Sequence, residues 1–474
     1  MIEQHKLFGT DGIRQQVGRF PLDEVSIYDL GRAFGRHLSE TGNGAKIICG
    51  RDTRMSGKRI EQLFTAGLLS VSPSPTEGDH PIGTIAIHSC GVIPTPGLSY
   101  IAEHGPFDYG VMITASHNPY TDNGLKFFGS DGEKISDELE QKIEAIFFSH
   151  RSSPEIQLPE ESGETRDNAP DCVVDPCDRI HSDFLAEHAA GLADALRHAN
   201  PLKIVMDCAN GATSEIAPRI FHDAGLNPVV IHHIPDGKNI NFNCGSTHMD
   251  SLKEVVRQEG ADLGIAFDGD GDRVLFTDGA GHTLDGNHTL YILSKYLRET
   301  SGEFNGMIVG TLLGNLGPEK ALNRLGITYI RTDVGDKHVW QEMKRTGALL
   351  GGEPSGHTIL RHFQKTGSGI LTALYVLKSL AYFHETPLDI FNQLPLYPQV
   401  ERNITVRERR DFNQWDQLKE MRQDFDSKHG RNSRLVIRYS GTEPKLRLMM
   451  ESEDPAVIAE NIGKFETLIQ STIG

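Results

Sequence analysis

The stretch GVMITASHNPYTDNGLKFF, Gly110 to Phe128, decides the fold. Val111, Met112 and Ile113 form a short apolar run, which predicts a buried strand delivering Thr114 to Pro119 to its C-terminal end. In open α/β sheets that end is where ligands bind. Pro119 bars a helix from running through the loop, and Asn123-Gly124 predicts a further turn before Lys126. Ser116 is thereby placed on a loop, beside His117 and ten residues ahead of a cation. A serine hydroxyl is a weak nucleophile unless a base, a metal or an attached group activates it. Taken alone, the loop would serve as readily as a Ser-His helix cap.

The flanking sequence alternates strand and helix patterns. Upstream, FGTDGIR (Phe8 to Arg14) is a glycine-punctuated loop with a cation, which could equally be a plain turn. A helix is predicted over 22–38, with Ile27, Leu30, Phe34 and Leu38 on one stripe, and strands over 45–49 and 83–93. GRDTRMSG (Gly50 to Gly57) leads into a second helix. Its two arginines suit an anion, although Arg51-Asp52 would also serve as a structural ion pair. Thr95-Pro96 starts the helix before the Ser116 strand. Arg151 to Pro170 is polar and proline-bearing and reads as a linker. Beyond it, strands are predicted at 202–206, 228–232 and 263–267, with helices at 214–224 and 249–259. A third unit has a helix at 287–297, a strand at 307–311, and a turn and helix over 334–343. From Leu394 onward a smaller unit reads strand, helix (415–425), hairpin, helix (456–472). The expected fold class is α/β, with three similar layered domains (1–168, 169–280, 281–392) and a smaller C-terminal α+β domain (393–474).

The 474 residues carry 47 basic and 65 acidic side chains, a formal charge of -18. This balance argues against a nucleic-acid partner but leaves room for a locally cationic cleft. The six cysteines (Cys49, Cys90, Cys172, Cys177, Cys208, Cys244) have no paired metal spacing and are expected to be reduced structural thiols. The start of the chain has no apolar signal core, and no run of about 18 apolar residues occurs. A cytoplasmic protein without a membrane partner is expected.

Asp268-Gly-Asp-Gly-Asp272-Arg273 places carboxylates at Asp268, Asp270 and Asp272, spaced by glycines, where they can converge on one hard cation. An EF-hand would need glycine at its sixth position and glutamate at its twelfth; Arg273 and Gly279 stand there. Gly351 to His357 (GGEPSGH) brings an acid, a hydroxyl and an imidazole to one loop, suited to sugar hydroxyls or to a tight turn. Arg438 to Pro444 (RYSGTEP), followed by Lys445 and Arg447, makes either a phosphate cradle or a hairpin turn. No G-x-x-x-x-G-K-[ST] or G-x-S-x-G motif occurs, so neither NTP-driven kinase nor α/β-hydrolase chemistry is supported.

TASHNP followed by DNGLKFF resembles the active-site loop of the α-D-phosphohexomutases. FGTDGIR, GRDTRMSG and NINFNCGSTH (Asn239 to His248) are similar to the phosphoglucosamine mutase branch in particular. Departures are Gln15, where that branch usually has glycine, Pro354, where it more often has glutamine, and Ser368, where it usually has aspartate. The resemblance implies that Ser116 carries a catalytic phosphate, assisted by His117, Lys126, Arg14, Arg273 and His357. It implies Mg²⁺ on Asp268, Asp270 and Asp272 together with Ser116. It makes Glu353 and Ser355 the readers of sugar hydroxyls, and Arg438, Ser440, Gly441, Thr442 and Arg447 the holders of the distal phosphate. The implied activity interconverts glucosamine 6-phosphate and glucosamine 1-phosphate through hexosamine 1,6-bisphosphate, feeding UDP-N-acetylglucosamine synthesis, in a monomer or homodimer. Phosphomannomutase/phosphoglucomutase and Mg-dependent sugar phosphatase activities remain open alternatives.

Overall fold

The computed structural model describes residues 6–9, 11–40, 44–71, 84–151, 158–160, 176–197, 202–440 and 444–474. Val111, Met112 and Ile113 are fully buried, as a continuous apolar run should be when helices cover both faces of its sheet. They belong to a five-stranded sheet of β1 (Ile13–Gln16), β2 (Ala45–Arg51), β3 (Ile85–Val92), β4 (Tyr109–Ile113) and β5 (Asp122–Gly129), ordered β1-β5-β4-β2-β3. β2 runs parallel to β3 and β4, whereas β5 is antiparallel to β4 and β1. The turn expected at Asn123-Gly124 does not form, because both residues lie inside β5. A Cβ on Gly124 would sit 2.3 Å from the Ile13 carbonyl oxygen and 2.6 Å from that of Thr114. Glycine there permits close strand approach rather than a bend.

The second sheet has β6 (Ile204–Asp207), β7 (Val229–Ile231), β8 (Leu263–Phe267), β9 (Val274–Asp278) and β10 (Thr283–Leu284), ordered β10-β9-β8-β6-β7. The third has β11 (Met307–Thr311), β12 (Thr328–Thr332), β13 (Leu350–Gly352) and β14 (Thr358–Leu360), ordered β12-β11-β13-β14. All three sheets share one plan: a parallel run ends in a strand that then pairs antiparallel with its successor. Those junctions are β4 to β5, β8 to β9 and β13 to β14. The loops at the junctions carry Ser116, Asp268 to Arg273, and Glu353 to His357. Three of the sequence motifs therefore sit at one repeated topological position.

The second and third sheets share a hydrophobic core that includes Leu185, Phe221, Phe267, Leu293 and Leu374. Helix Gly369–Phe383, apolar almost all round, runs through that core. Helix Pro176–Leu196 packs against it and against helices Thr95–His104 and Ile216–Asp223. The C-terminal sheet is antiparallel, of β15 (Gln399–Thr405), β16 (Ser433–Tyr439) and β17 (Lys445–Ser452), ordered β15-β17-β16. It docks on the third unit through Arg434, which pairs with the buried Glu451 at 2.6 Å and donates to the Gly314 carbonyl at 2.7 Å.

Most of the expected linker, together with Gly441 and Thr442, lies outside the described residues. Cys49, Cys208 and Cys244 are free thiols; Cys172 and the side chain of Cys177 fall outside the description. Among the described residues no helix is long and apolar enough to cross a membrane.

Candidate active site

Ser116 is fully buried and holds φ at +51°, a left-handed conformation that costs a non-glycine residue about 1–3 kcal/mol. Several contacts enforce it. Its N–H donates to Thr114 Oγ1 at 2.8 Å. Its carbonyl accepts from the Arg54 guanidinium at 2.9 Å and from Asn241 Nδ2 at 2.8 Å. Arg54 also donates to the carbonyls of Asn118 (2.8 Å), Asp122 (3.0 Å) and Pro119, and it pairs with Asp52 at 2.9 Å. Asp52's partner is thus Arg54; Arg51 faces Glu61 instead, at 3.7 Å. Ala209, Asn210, Asn241 and Asn243 also have positive φ, so the segments of the second domain near this loop are strained as well.

The Ser116 hydroxyl donates to Asp268 Oδ2 at 2.7 Å and lies 3.5 Å from His117 Nδ1. Burial, with the charges of Arg273 and Arg14, lowers His117 to a pKa of about 4, so its imidazole is neutral near pH 7. The acidic loop closes tightly on the serine: a Cβ on Gly269 would lie 2.6 Å from the Ser116 carbonyl oxygen. Asp268, Asp270 and Asp272 are buried, and each offers a carboxylate oxygen within 4.8 Å of the others. Burial and the charges of Asp272 and Asp270 push Asp268 well above the usual carboxylate range. Asp270 Oδ1 and Asp272 Oδ1 are buried without a hydrogen-bond partner. Three converging carboxylates, two of them with an unsatisfied oxygen, fit a hard divalent cation, and this group could bind one.

Lys126 Nζ reaches Asp270 at 2.9 Å, Asp272 at 3.1 Å and Asp11 at 3.3 Å. Burial works against its charge, but Asp11, Asp270 and Asp272 outweigh it and raise the pKa well above the usual lysine value. Arg14 pairs with Asp11, and Arg273 lies 3.8 Å from Asp272. Thr95 Oγ1 donates to Asp270 Oδ2 at 2.6 Å. His357 is buried; its Nε2 accepts the Gly367 N–H at 3.0 Å while its Nδ1 lies 3.8 Å from Asp272. Glu353 accepts from the Gly335 N–H at 3.1 Å, and its charge is felt at Arg273. The Ser355 hydroxyl oxygen is buried and has no hydrogen-bond partner. Ser368, which caps helix Gly369–Phe383 through the Leu371 N–H, does by hydroxyl what an aspartate would do there.

Arg438 and Arg447 stand opposite each other on β16 and β17. Burial and the Arg447 charge lower Arg438 from the usual arginine value, and the charge of Asp333, two residues before Gly335, reaches it. Two adjacent guanidinium groups of this kind favour an anion. The arrangement thus brings Ser116, His117, Lys126, Arg14, Arg273, His357 and the three aspartates together, with Glu353 within electrostatic reach. Arg54, Thr95, Asn241 and Asp11 are further contributors; GRDTRMSG and FGTDGIR contain two of them, while Thr95 gave only a helix-start signal. A second grouping, Asp207, His232 and Cys244, has Asp207's oxygens taken by the amides of Ala209 (2.8 Å) and Gly245 (2.9 Å) and anchors turns.

Models of the phosphoglucomutase/phosphomannomutase alpha/beta/alpha domains I, II and III match residues 5–153, 182–281 and 285–397, and the C-terminal domain model matches 401–465. The phosphoglucosamine mutase of Deinococcus deserti is 38% identical over 97% of each chain. That of Carboxydothermus hydrogenoformans is 37% identical over 98% of this chain and 99% of its own. The chain belongs to the phosphoglucomutase/phosphomannomutase family. It is a phosphohexomutase-family enzyme, with the family's three α/β/α domains and C-terminal domain. A family protein of Burkholderia thailandensis shares the fold with a TM-score of 0.74 at 21% identity, covering 99% of this chain and 98% of that one. Aspergillus fumigatus N-acetylphosphoglucosamine mutase, solved with GlcNAc-6P and magnesium, does so with a TM-score of 0.64 at 16% identity, covering 98% and 95%.

Proposed function

We propose that this phosphohexomutase interconverts glucosamine 6-phosphate and glucosamine 1-phosphate through phosphorylated Ser116 and a hexosamine 1,6-bisphosphate. The observation that carries the substrate assignment is the name shared by the full-length relatives at about 37% identity. In the first half-reaction the sugar's free hydroxyl oxygen attacks phosphorus as the bond to Ser116 Oγ breaks. The serine oxygen leaves beside Asp268 and His117, and the sugar's proton passes to the His117 imidazole, whose low basicity the negative charge of the phosphate on Ser116 raises. Arg14, Lys126 and Arg273 supply fixed positive charge around the transferring group, where most phosphoryl-transfer catalysis lies. Asp268, Asp270 and Asp272, with Ser116, would hold Mg²⁺, which when bound neutralises charge on the transferring oxygens. The bisphosphate then turns over and returns its other phosphate to Ser116. Glu353 and Ser355 hold sugar hydroxyls in either orientation, while Arg438, Ser440, Gly441, Thr442 and Arg447 hold the phosphate that is not reacting.

The test is kcat/KM for glucosamine, glucose and mannose phosphates under one set of conditions, with release of inorganic phosphate followed in parallel. Glucosamine should lead, by a modest 10–200-fold, as for a single small group at an enzyme pocket. A lead of tenfold or more for glucose or mannose moves the assignment to phosphomannomutase/phosphoglucomutase, and net phosphate release moves it to a phosphatase.

A further inference from the structure

Lys134 stands behind Lys126, fixed by a β-bridge to Phe128, and pairs with Asp11 on one side and with Asp336 at 2.5 Å on the other. Asp336 opens helix Asp336–Thr346 in the third domain and lies 3.8 Å from His357 Nε2. His357 lies 3.8 Å from Asp272, Asp272 lies 3.1 Å from Lys126, and Lys126 lies 3.3 Å from Asp11. The six side chains Asp11, Lys134, Asp336, His357, Asp272 and Lys126 therefore close a ring in which carboxylates alternate with basic groups. Asp11, Lys126 and Lys134 come from the first domain, Asp272 from the second, and Asp336 and His357 from the third.

We propose that Lys134 and Asp336 are positioning residues for phosphoryl transfer, closing this ring so that Lys126 and Asp272 are held in fixed relation to Ser116. The proposal rests on the reading that transfer occurs at Ser116. Without Lys134, the Asp11 charge is left to Arg14 and Lys126 and draws both away from Asp272 and from the transferring group. Asp336, freed from Lys134, loses the cation that holds its carboxylate beside His357. A displacement of about 1 Å among such groups can cost about 100-fold in rate. Lys134 touches none of Glu353, Ser355 or Arg438 among the contacts described, so substrate affinity is expected to change far less than turnover. The same seam offers a control. Lys344 and Glu133 form a 2.5 Å pair between the third and first domains, and they line a cavity of about 220 Å³ with Lys134 and Asp336. That pair makes no hydrogen bond or ion pair to the ring among the described residues.

The experiment is steady-state kinetics on the full chain for Lys134→Gln, Lys134→Arg, Asp336→Asn, the Lys134→Gln/Asp336→Asn double variant, Lys344→Ala and Ser116→Ala, with thermal melts alongside. Lys134→Gln should lower kcat by about 10–100-fold with KM within about threefold. Lys134→Arg should recover most of the loss, the double variant should be no slower than the slower single one, and Lys344→Ala should turn over like the parent. The proposal is overturned if Lys134→Gln keeps the parent kcat, if Lys134→Arg is as slow as Lys134→Gln, or if Lys344→Ala slows turnover equally. Should Lys134→Gln fail to fold, Asp336→Asn carries the same criteria. An active Ser116→Ala would defeat the underlying site reading instead, whatever Lys134 does.

Discussion

Arg54→Lys is the perturbation that most directly probes how the Ser116 loop is held. The guanidinium binds Asp52 and the carbonyls of Ser116, Asn118, Pro119 and Asp122 from a fully buried position. A lysine ammonium keeps the charge but has only three donors, and it lacks the planar fork that reaches several carbonyls at once. At least two of the contacts must be lost, at roughly 1.5–3 kcal/mol for each hydrogen bond to a charged group, or about 3–6 kcal/mol in total. Asn241 remains as second donor to the Ser116 and Asn118 carbonyls, which favours the lower end, near 3 kcal/mol. Relaxation of the left-handed Ser116 backbone should also slow turnover by about 100-fold through misplacement of the nucleophile. Urea unfolding and kcat measured on the same preparation check both effects. An unchanged unfolding midpoint together with kcat within twofold of the parent would refute the idea that Arg54 sets the loop.

Asp270→Asn should weaken Mg²⁺ binding measured by calorimetry by at least about tenfold, since it removes one anionic donor from a three-carboxylate group; unaltered binding would leave the acidic loop a structural turn. Burial alone lowers His181 to a pKa of about 3, so the native state resists a proton that the unfolded chain accepts near 6.5. Stability from this group is therefore fully present above pH 6.5 and lost on acidification, by about 3 kcal/mol between pH 7 and pH 4. His181→Leu should flatten the stability profile by that amount across this window, and an equally steep profile would contradict the assignment. Arg438→Ala should lower kcat/KM by roughly 10–100-fold, the worth of one charged hydrogen bond, mostly through KM; an unaltered KM would make the β16–β17 turn a plain hairpin.

Much of the candidate site was legible because its motifs fall where strand patterns end. An apolar run closed by Thr114-Ala115-Ser116, another closed by Asp268, and Leu350 leading to Glu353 each announce a loop at a strand's C-terminal end. What sequence could not supply was which distant side chains support those loops. Asn241 reaches Ser116 across 125 positions, and Thr95 reaches Asp270 across 175. Asp336 meets Lys134 only because the third domain packs on the first. Asn123-Gly124 misleads because the dipeptide favours turns, whereas here strand pairing to β1 prevails and leaves no room for a side chain. Helix Pro176–Leu196 was within reach of pattern reading: Leu185, Ala189 and Leu192 recur at helical spacing and are all buried. The shared core between the second and third domains was not, since nearly all-apolar helix Gly369–Phe383 gives no sign of which sheet it covers.

The central claim is that Ser116 carries the phosphate that is transferred. The full chain, incubated with Mg²⁺ and a hexose 1,6-bisphosphate and then digested, should yield one phosphopeptide spanning Thr114 to Pro119 with the phosphate on Ser116. Added hexosamine monophosphate should chase that label onto the sugar within a turnover. Phosphate that maps elsewhere, or that stays on Ser116 while the enzyme turns over, would contradict the account.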